Sequence, residues 1–144
     1  RALFGGAPID ATVLLVGVND VVTHTGADRY ADNVGAIAAY LPSRSVQVVS
    51  VPRVDETGPG AAFPSAAKRW LQRWWFDGGR VEVTDAYRAK LAATHPELPQ
   101  IDFDRFIDSY ARHRDRYAPD GVHLVTAQFH QYGRFLGEAV ALPK

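Results

Sequence analysis

One continuous apolar run and one run rich in β-branched residues stand out in the first part of the chain. The run at 11–16 reads Ala-Thr-Val-Leu-Leu-Val and ends at Gly17, and the valine-rich run at 46–51 ends at Pro52. Continuous apolar runs of this length are typical of strands that are covered on both faces, as in parallel sheets. A shorter Val-Glu-Val run at 81–83 predicts a third strand.

Between and after these runs, apolar residues recur at the spacing of one helix face. Four segments show this spacing: Tyr30, Val34, Ile37, Ala38 and Leu41; Ala67, Trp70, Leu71 and Trp74; Phe103, Phe106, Ile107 and Tyr110; and Phe129, Tyr132, Gly133, Leu136 and Val140. Asp28 is positioned to cap the first of these predicted helices, and Thr126 to cap the last. The proline-containing segment 94–100 is predicted to be an irregular connection.

Strands that alternate with helices predict βαβ units, and therefore an α/β fold built on a parallel sheet. The run at 11–16 is too apolar to form an uncovered edge of such a sheet. We therefore expect it to have a second parallel neighbour, which comes from sequence that precedes Arg1 or from another chain. An exposed, unpaired edge at 11–16 would count against this expectation.

The amino-acid composition limits the classes of function that this chain can have. The chain has 144 residues, of which 47% are hydrophobic and 22% charged, so it is long enough for one domain with its own core. The 16 basic and 16 acidic residues cancel, which argues against nucleic acid as a partner because phosphate binding needs an excess of positive charge. No apolar run is long enough for a membrane span.

The absence of cysteine excludes disulfides, thiol nucleophiles and cysteine-bound metals. The histidines have no metal-ligand spacing with acidic residues, so no metal site is predicted. Methionine is also absent and the chain begins at Arg1, so we expect a processed chain or a piece of a longer one.

Two short motifs carry groups that are suited to acyl transfer. Gly17-Val18-Asn19-Asp20 follows the first predicted strand, at the carboxyl end where ligands gather in open α/β sheets. An asparagine at that place can donate an amide N–H to a developing oxyanion. Asp120-Gly121-Val122-His123 precedes the last predicted helix, and an aspartate three residues before a histidine can hold the imidazole as a general base. Each motif alone is equally compatible with ordinary turn chemistry.

Together and in this order, the two motifs resemble those of the SGNH (GDSL-type) hydrolase family, which carries Gly-x-Asn-Asp followed by Asp-x-x-His. The resemblance covers roughly the whole chain, as the carboxyl-terminal two-thirds of the family's domain. It implies a three-layer α/β/α, flavodoxin-like parallel sheet whose first strands are absent from this chain. Residues 1–144 would then be a single domain that is incomplete at its amino end.

The resemblance also implies a role for each matching residue. Asn19 would donate its side-chain amide to the oxyanion, and Gly17 and Asp20 would complete the same loop. His123 would be the general base, and Asp120 would orient it and stabilise the imidazolium ion. The expected activity is that of a serine-type carboxylic ester hydrolase, which forms an acyl-enzyme and needs no cofactor.

The nucleophile of this expected site is missing. No Gly-Asp-Ser triplet, the family's nucleophile block, occurs in the chain. Of the five serines, Ser50 alone lies near the predicted site, and its place inside a valine-rich strand is unlike a sharp nucleophile turn. We therefore expect the serine to come from sequence outside this chain.

The expected substrate is a small-molecule ester or an acylated carbohydrate, and Trp75 and Phe76 are candidates for an exposed wall along it. Two alternatives remain open. The same site could transfer an acyl group, commonly acetyl, to or from a carbohydrate. The chain could also be a catalytically silent binding or structural domain that keeps the fold. The sequence does not indicate a cellular location.

Overall fold

A computed structural model describes residues 9–52, 81–108 and 124–140. These ranges contain the strands β1 (Thr12–Leu14), β2 (Val46–Val49) and β3 (Gln100–Ile101), and the helices α1 (Val18–Val22), α2 (Ala27–Tyr40), α3 (Val81–Thr94), α4 (Phe103–Asp108) and α5 (Phe129–Ala139). A 3₁₀ turn at Thr126–Gln128 leads directly into α5. The predicted α/β class is confirmed. None of the described helices is long and apolar enough to span a bilayer.

The three strands form a parallel sheet in the order β1-β2-β3. Thr12 pairs with Val46 and Val49 pairs with Ile101, so each strand is added beside the previous one. Parallel neighbours require a crossover connection. Accordingly α2 lies between β1 and β2 along the chain, and α3 lies between β2 and β3.

The prediction of the third strand is wrong. The Val-Glu-Val run at 81–83 begins helix α3, and the third strand is Gln100–Ile101, at the end of the segment predicted to be irregular. Three residues are too few for strand and helix patterns to be distinguished. The alanines, Lys90 and Leu91 that follow are good helix formers, and they extend the helix to Thr94.

The long helix α2 is confirmed, but the predicted caps of two helices are wrong. Helix α2 begins after Gly26, whose φ is 86°, and Asp28 lies in the first helical turn without capping it. There its carboxylate is favoured by the helix dipole and forms an ion pair with Lys90 of α3. Thr126 opens the 3₁₀ turn before α5, and no side chain caps that helix.

Strand β2 buries apolar side chains on both faces, because successive strand residues point to opposite sides. Val48 belongs to a cluster with residues before, within and after α2 and α3: Val21, Tyr30, Ala31, Val34, Val51, Tyr87, Leu91 and Leu98. Val49 belongs to a second cluster, which includes residues of β3, α4 and α5: Ile101, Phe103, Phe106, Ile107 and Tyr132. This burial on both sides explains why valines on both faces of the run at 46–51 are needed, although Gln47 and Ser50 are buried there as well.

Strand β1 is the edge of the described sheet. Its three residues are half-buried, and Leu15, directly after it, is 56% exposed. Within the described ranges it pairs with β2 alone. Among the described residues the edge is thus half-buried and unpaired on one side, which by itself counts against the expected second neighbour. The expected second neighbour is not among the described residues, and it stays a prediction.

Helix α2 and the end of α3 approach each other closely at Gly35. A Cβ atom at Gly35 would lie 2.2 Å from Cε1 and from Nε2 of the His95 ring. His95 follows α3, and its Nδ1 lies 2.9 Å from the carboxylate of Glu97. The imidazole therefore occupies the space that a side chain at position 35 would take, and a larger residue there would have to displace it.

We expect Gly35→Ala to be less stable than a helical Gly→Ala control by about 1–3 kcal/mol, the usual cost of adding a methyl group to a packed contact. Gly133→Ala in α5 is the matched control, because a Cβ atom there meets nothing within 4 Å. This control should be as stable as the wild type or more stable by up to about 1 kcal/mol, since alanine is the better helix former. Urea unfolding followed by circular dichroism measures both. Equal stability of the two variants would contradict the close approach.

Candidate functional site

Residues Gly17, Asn19 and Asp20 lie directly after the carboxyl end of β1. Gly17 is buried and has φ 115° and ψ −24°, a left-handed conformation that turns the chain from the strand into helix α1. Asn19 and Asp20 are therefore in a short helix, whereas the sequence predicted a loop. Asn19 is exposed and Asp20 is half-buried.

Both the backbone angle and the available space require glycine at position 17. A Cβ atom there would lie 2.6 Å from Cγ2 of Val51 and 3.0 Å from Cε2 of Tyr30. Residues with side chains rarely adopt this backbone conformation. The turn after β1 therefore packs directly on the segment after β2 and on helix α2.

The main chain and the side chain of Asn19 differ in their hydrogen bonding. The carbonyl oxygen accepts hydrogen bonds from the N–H and the hydroxyl of Thr23, both at 2.8 Å. The side-chain amide has no hydrogen-bond partner within the described ranges. An amide that is carried by a fixed backbone and makes no other described hydrogen bond can donate to an oxyanion.

Asp20 links this turn to helix α3. Its carbonyl oxygen accepts a hydrogen bond from the Tyr87 hydroxyl at 3.1 Å and from the Thr25 N–H at 3.0 Å. The same Tyr87 hydroxyl accepts a hydrogen bond from the Gly26 N–H at 2.8 Å. Tyr87 therefore holds both ends of the segment 20–26, which joins α1 to α2.

Tyr30 lies between these groups and is fully buried. Its ring packs on the Tyr87 ring with the centroids 5.2 Å apart. Burial, followed by the negative charge of Asp20, raises the pKa of Tyr30 to about 12. The phenol is therefore neutral near neutral pH and cannot serve as a base there.

Arg88 connects the ends of the other two strands. Its Nε donates to the carbonyl oxygen of Val51, directly after β2, at 2.8 Å, and its Nη2 donates to the same oxygen. Its Nη1 and Nη2 also bind the two carboxylate oxygens of Asp104, in the first turn of α4, at 2.6 and 3.1 Å. The two side chains are only 15% and 16% exposed. A bidentate pair of this kind fixes both the orientation of the guanidinium and its distance from the carboxylate.

Sequence analysis missed Tyr87 and Arg88, because the first turn of their helix, at 81–83, was predicted to be a strand and the residues after it were assigned to no element. Thr84, Tyr87, Arg88 and Leu91 follow the spacing i, i+3, i+4 and i+7 of one helix face, and they are buried or half-buried. That spacing predicts the helix, but a tyrosine and an arginine on an inward face do not by themselves indicate their partners.

Ser50 does not fit the role of a nucleophile. Its side chain is buried, and its hydroxyl oxygen accepts a hydrogen bond from the Phe103 N–H at 2.9 Å. This contact satisfies an N–H at the start of α4. The other two described serines, Ser43 and Ser45, precede β2 at the opposite end of the sheet. The described ranges thus provide no exposed serine at the carboxyl edge of the sheet.

The remaining predicted site residues, Asp120, His123, Trp75 and Phe76, lie outside the described residues. The proximity of Asn19 and His123 therefore stays a prediction. In the described part of the chain, no three histidine or carboxylate side chains are grouped so that they could hold a metal ion.

A scan against protein-family models finds no match to this chain, and a search of curated proteins finds none either. The resemblance to the SGNH hydrolases therefore rests on the two motifs.

We expect Gly17→Ala to cost less stability in a Val51→Ala background than in the wild type. The backbone strain at φ 115° is the same in both backgrounds and cancels, whereas the contact with Val51 Cγ2 is removed in one of them. A coupling of about 1–2 kcal/mol in a double-mutant cycle, measured by urea unfolding, is the expected result. Additive effects would show that the two residues are not in contact.

Stability should also fall at alkaline pH. Burial raises the pKa of Tyr132 to about 12, as it does for Tyr30. Unfolded tyrosine ionises near pH ~10, so the unfolded state loses its protons first, and stability is lost between about pH 10 and pH 12. Each tyrosine contributes about 2–3 kcal/mol to this loss.

Tyr132→Phe removes one of these two groups. Its unfolding free energy, measured by urea titration across this pH range, should fall less steeply than that of the wild type. Identical slopes would contradict a buried, neutral Tyr132.

Proposed function

We propose that this chain is part of a serine-type carboxylic ester hydrolase, which acts through an acyl-enzyme. The observation that carries the proposal is the turn at the end of β1. A glycine that has no room for a side chain ends the strand, and the helical turn after it places Asn19, whose side-chain amide has no partner among the described residues, at the carboxyl edge of the sheet. This is the edge where ligands bind in open α/β sheets.

In the proposed reaction, His123 takes the proton from a serine hydroxyl as the serine oxygen attacks the ester carbonyl. Asn19 donates a hydrogen bond to the oxyanion that forms. His123 then gives its proton to the departing alkoxide, and Asp120 orients the imidazole and stabilises its charged form. Water releases the acyl group by the same steps, with His123 again as the base.

The finer proposal for the fold is a three-layer α/β/α, flavodoxin-like sheet. Its support is that the strands are parallel and that β2 has an apolar cluster on each face. Leu124, the residue directly after His123, packs against the cluster that contains Val49 and Ile101. The Asp-x-x-His motif is therefore followed directly in the sequence by a residue that packs against this cluster.

The nucleophilic serine, in this proposal, comes from polypeptide outside this chain, either a preceding segment or a second chain. A parallel strand on the other side of β1, where the described ranges place no partner, would end at the same edge as Gly17 and could carry this serine. The substrate would be a small ester or an acylated carbohydrate, with Trp75 and Phe76 along one side of it.

A second candidate is a catalytically silent binding or structural domain. The observation that favours it concerns Ser50. Its hydroxyl is buried and accepts a hydrogen bond from the Phe103 N–H at the start of α4, so it is not placed to attack a substrate. In this case the amide of Asn19 would bind a polar group of a ligand without turnover.

We expect Asn19→Ala to lower kcat for p-nitrophenyl acetate by about 10²–10³-fold, the usual effect of losing an oxyanion donor. His123→Ala should reduce turnover to a small residue. The assay uses the full-length polypeptide that carries this chain. Asn33→Ala in α2 and His130→Ala in α5 are matched controls, because both residues are exposed helical positions, and turnover should be unchanged in both.

Unchanged turnover in Asn19→Ala or His123→Ala would end the hydrolase proposal. A full-length wild type that neither hydrolyses the ester nor reacts covalently with a fluorophosphonate would favour the silent domain.

A further inference from the structure

We propose that Tyr87 is a positioning residue for Asn19, acting through the segment 20–26. This inference rests on the proposed function, because it concerns the amide that would bind the oxyanion. Tyr87 lies 68 positions after Asn19 in the sequence, on helix α3. It reaches the segment with one hydroxyl group that both donates and accepts a hydrogen bond.

The two hydrogen bonds enclose the segment that follows Asn19. The hydroxyl donates to the carbonyl oxygen of Asp20, the next residue along the chain, at 3.1 Å. It accepts from the N–H of Gly26, the residue before α2, at 2.8 Å. One phenol therefore fixes the distance between the middle of α1 and the start of α2.

Helix α1 needs such an external restraint. It has five residues, and a helix of that length has little stability of its own in water. The segment that follows it contains two residues with positive φ, His24 at 55° and Gly26 at 86°. A histidine in this conformation is held there by its surroundings.

The Tyr87 side chain is itself held in place. It is 4% exposed, and its ring packs on Tyr30, the residue whose Cε2 limits the space at Gly17. The neighbouring Arg88 is fixed by the carbonyl of Val51 and the carboxylate of Asp104. The hydroxyl therefore contacts the Asn19 turn from a rigid position.

Loss of the hydroxyl alone should loosen the turn without opening the core. Tyr87→Phe keeps the ring and removes both hydrogen bonds. An oxyanion donor acts only when it lies within a few tenths of an ångström of its productive position, and a misplacement of about 1 Å can cost about 10²-fold in rate. We expect kcat to fall by about 10- to 100-fold, and KM to change by less than about 2-fold, because the amide acts mainly in the transition state.

Tyr132→Phe is the matched control. Tyr132 is also buried, at 7% exposed, and its ring packs on Phe103 and Phe106 in the other cluster. Its hydroxyl makes no hydrogen bond within the described ranges. The same chemical change there should leave kcat and KM as in the wild type.

The experiment combines steady-state kinetics on the full-length polypeptide with amide hydrogen exchange at Thr23 and Thr25. These two N–H groups donate to the carbonyls of Asn19 and Asp20, so they report the order of the turn. In Tyr87→Phe we expect both to exchange at least about ten times faster, together with the fall in kcat. In Tyr132→Phe neither should change.

The outcomes separate this inference from the proposed function. Full kcat in Tyr87→Phe, or unchanged exchange at Thr23 and Thr25, would overturn the positioning role even where Asn19→Ala and His123→Ala abolish turnover. A wild type without ester turnover would refute the proposed function. Faster exchange in Tyr87→Phe would then show a structural restraint only, and the catalytic consequence would be refuted with the function.

Discussion

The carboxyl edge of the sheet depends on two adjacent side chains of helix α3, Tyr87 and Arg88. The Tyr87 hydroxyl binds the carbonyl of Asp20 after β1, and the Arg88 guanidinium binds the carbonyl of Val51 after β2 and the carboxylate of Asp104 after β3. One turn of one helix thus contacts the segments that follow all three strands. Buried backbone carbonyl groups must be satisfied by side chains or by water. Here two such carbonyls, those of Asp20 and Val51, are bound by side chains of α3, and the first of these contacts restrains the segment that follows Asn19.

The ion pair between Arg88 and Asp104 contributes more to the positions of the groups it joins than to the free energy of folding. Both side chains are mostly removed from water, and the desolvation of two charges offsets much of their attraction. In buried ion pairs generally, loss of one partner costs about 3–5 kcal/mol. The planar guanidinium binds a carboxylate and a backbone carbonyl at the same time, which the single ammonium group of a lysine cannot reproduce. On the other side, the Tyr87 hydroxyl holds the segment after Asn19 through one donated and one accepted hydrogen bond.

The parts of the fold that could be predicted are those in which a hydrophobic pattern extends over many consecutive residues. The valine-rich run at 46–51 is buried on both faces, and α2 buries Tyr30 and Val34 as its spacing predicted, although Ile37 of the same predicted face is exposed. The short elements were not predictable, because Val81-Glu82-Val83 is too brief to separate a strand from a helix, and Gln100–Ile101 becomes a strand only through its pairing with β2. The place of Asn19 followed from the rule that sites lie after strands, whereas its short helix did not, since an Asn-Asp pair favours turns. Tyr87 could not be assigned to the site, because its partners are 61 and 67 residues away and only the folded chain brings them together.

The most direct test of this account is whether the carboxyl edge unfolds together with the core. Native-state hydrogen exchange of the wild type measures the opening free energies of the Gly26 amide, bound to Tyr87, and of the Phe103 amide, bound to Ser50. The Val48 amide, bound to the Pro99 carbonyl within the sheet, gives the reference for global unfolding. If α3 and its neighbours hold this edge as one unit, all three amides exchange with the same opening free energy. Exchange of Gly26 and Phe103 through openings that are several kcal/mol easier than that of Val48 would contradict the account.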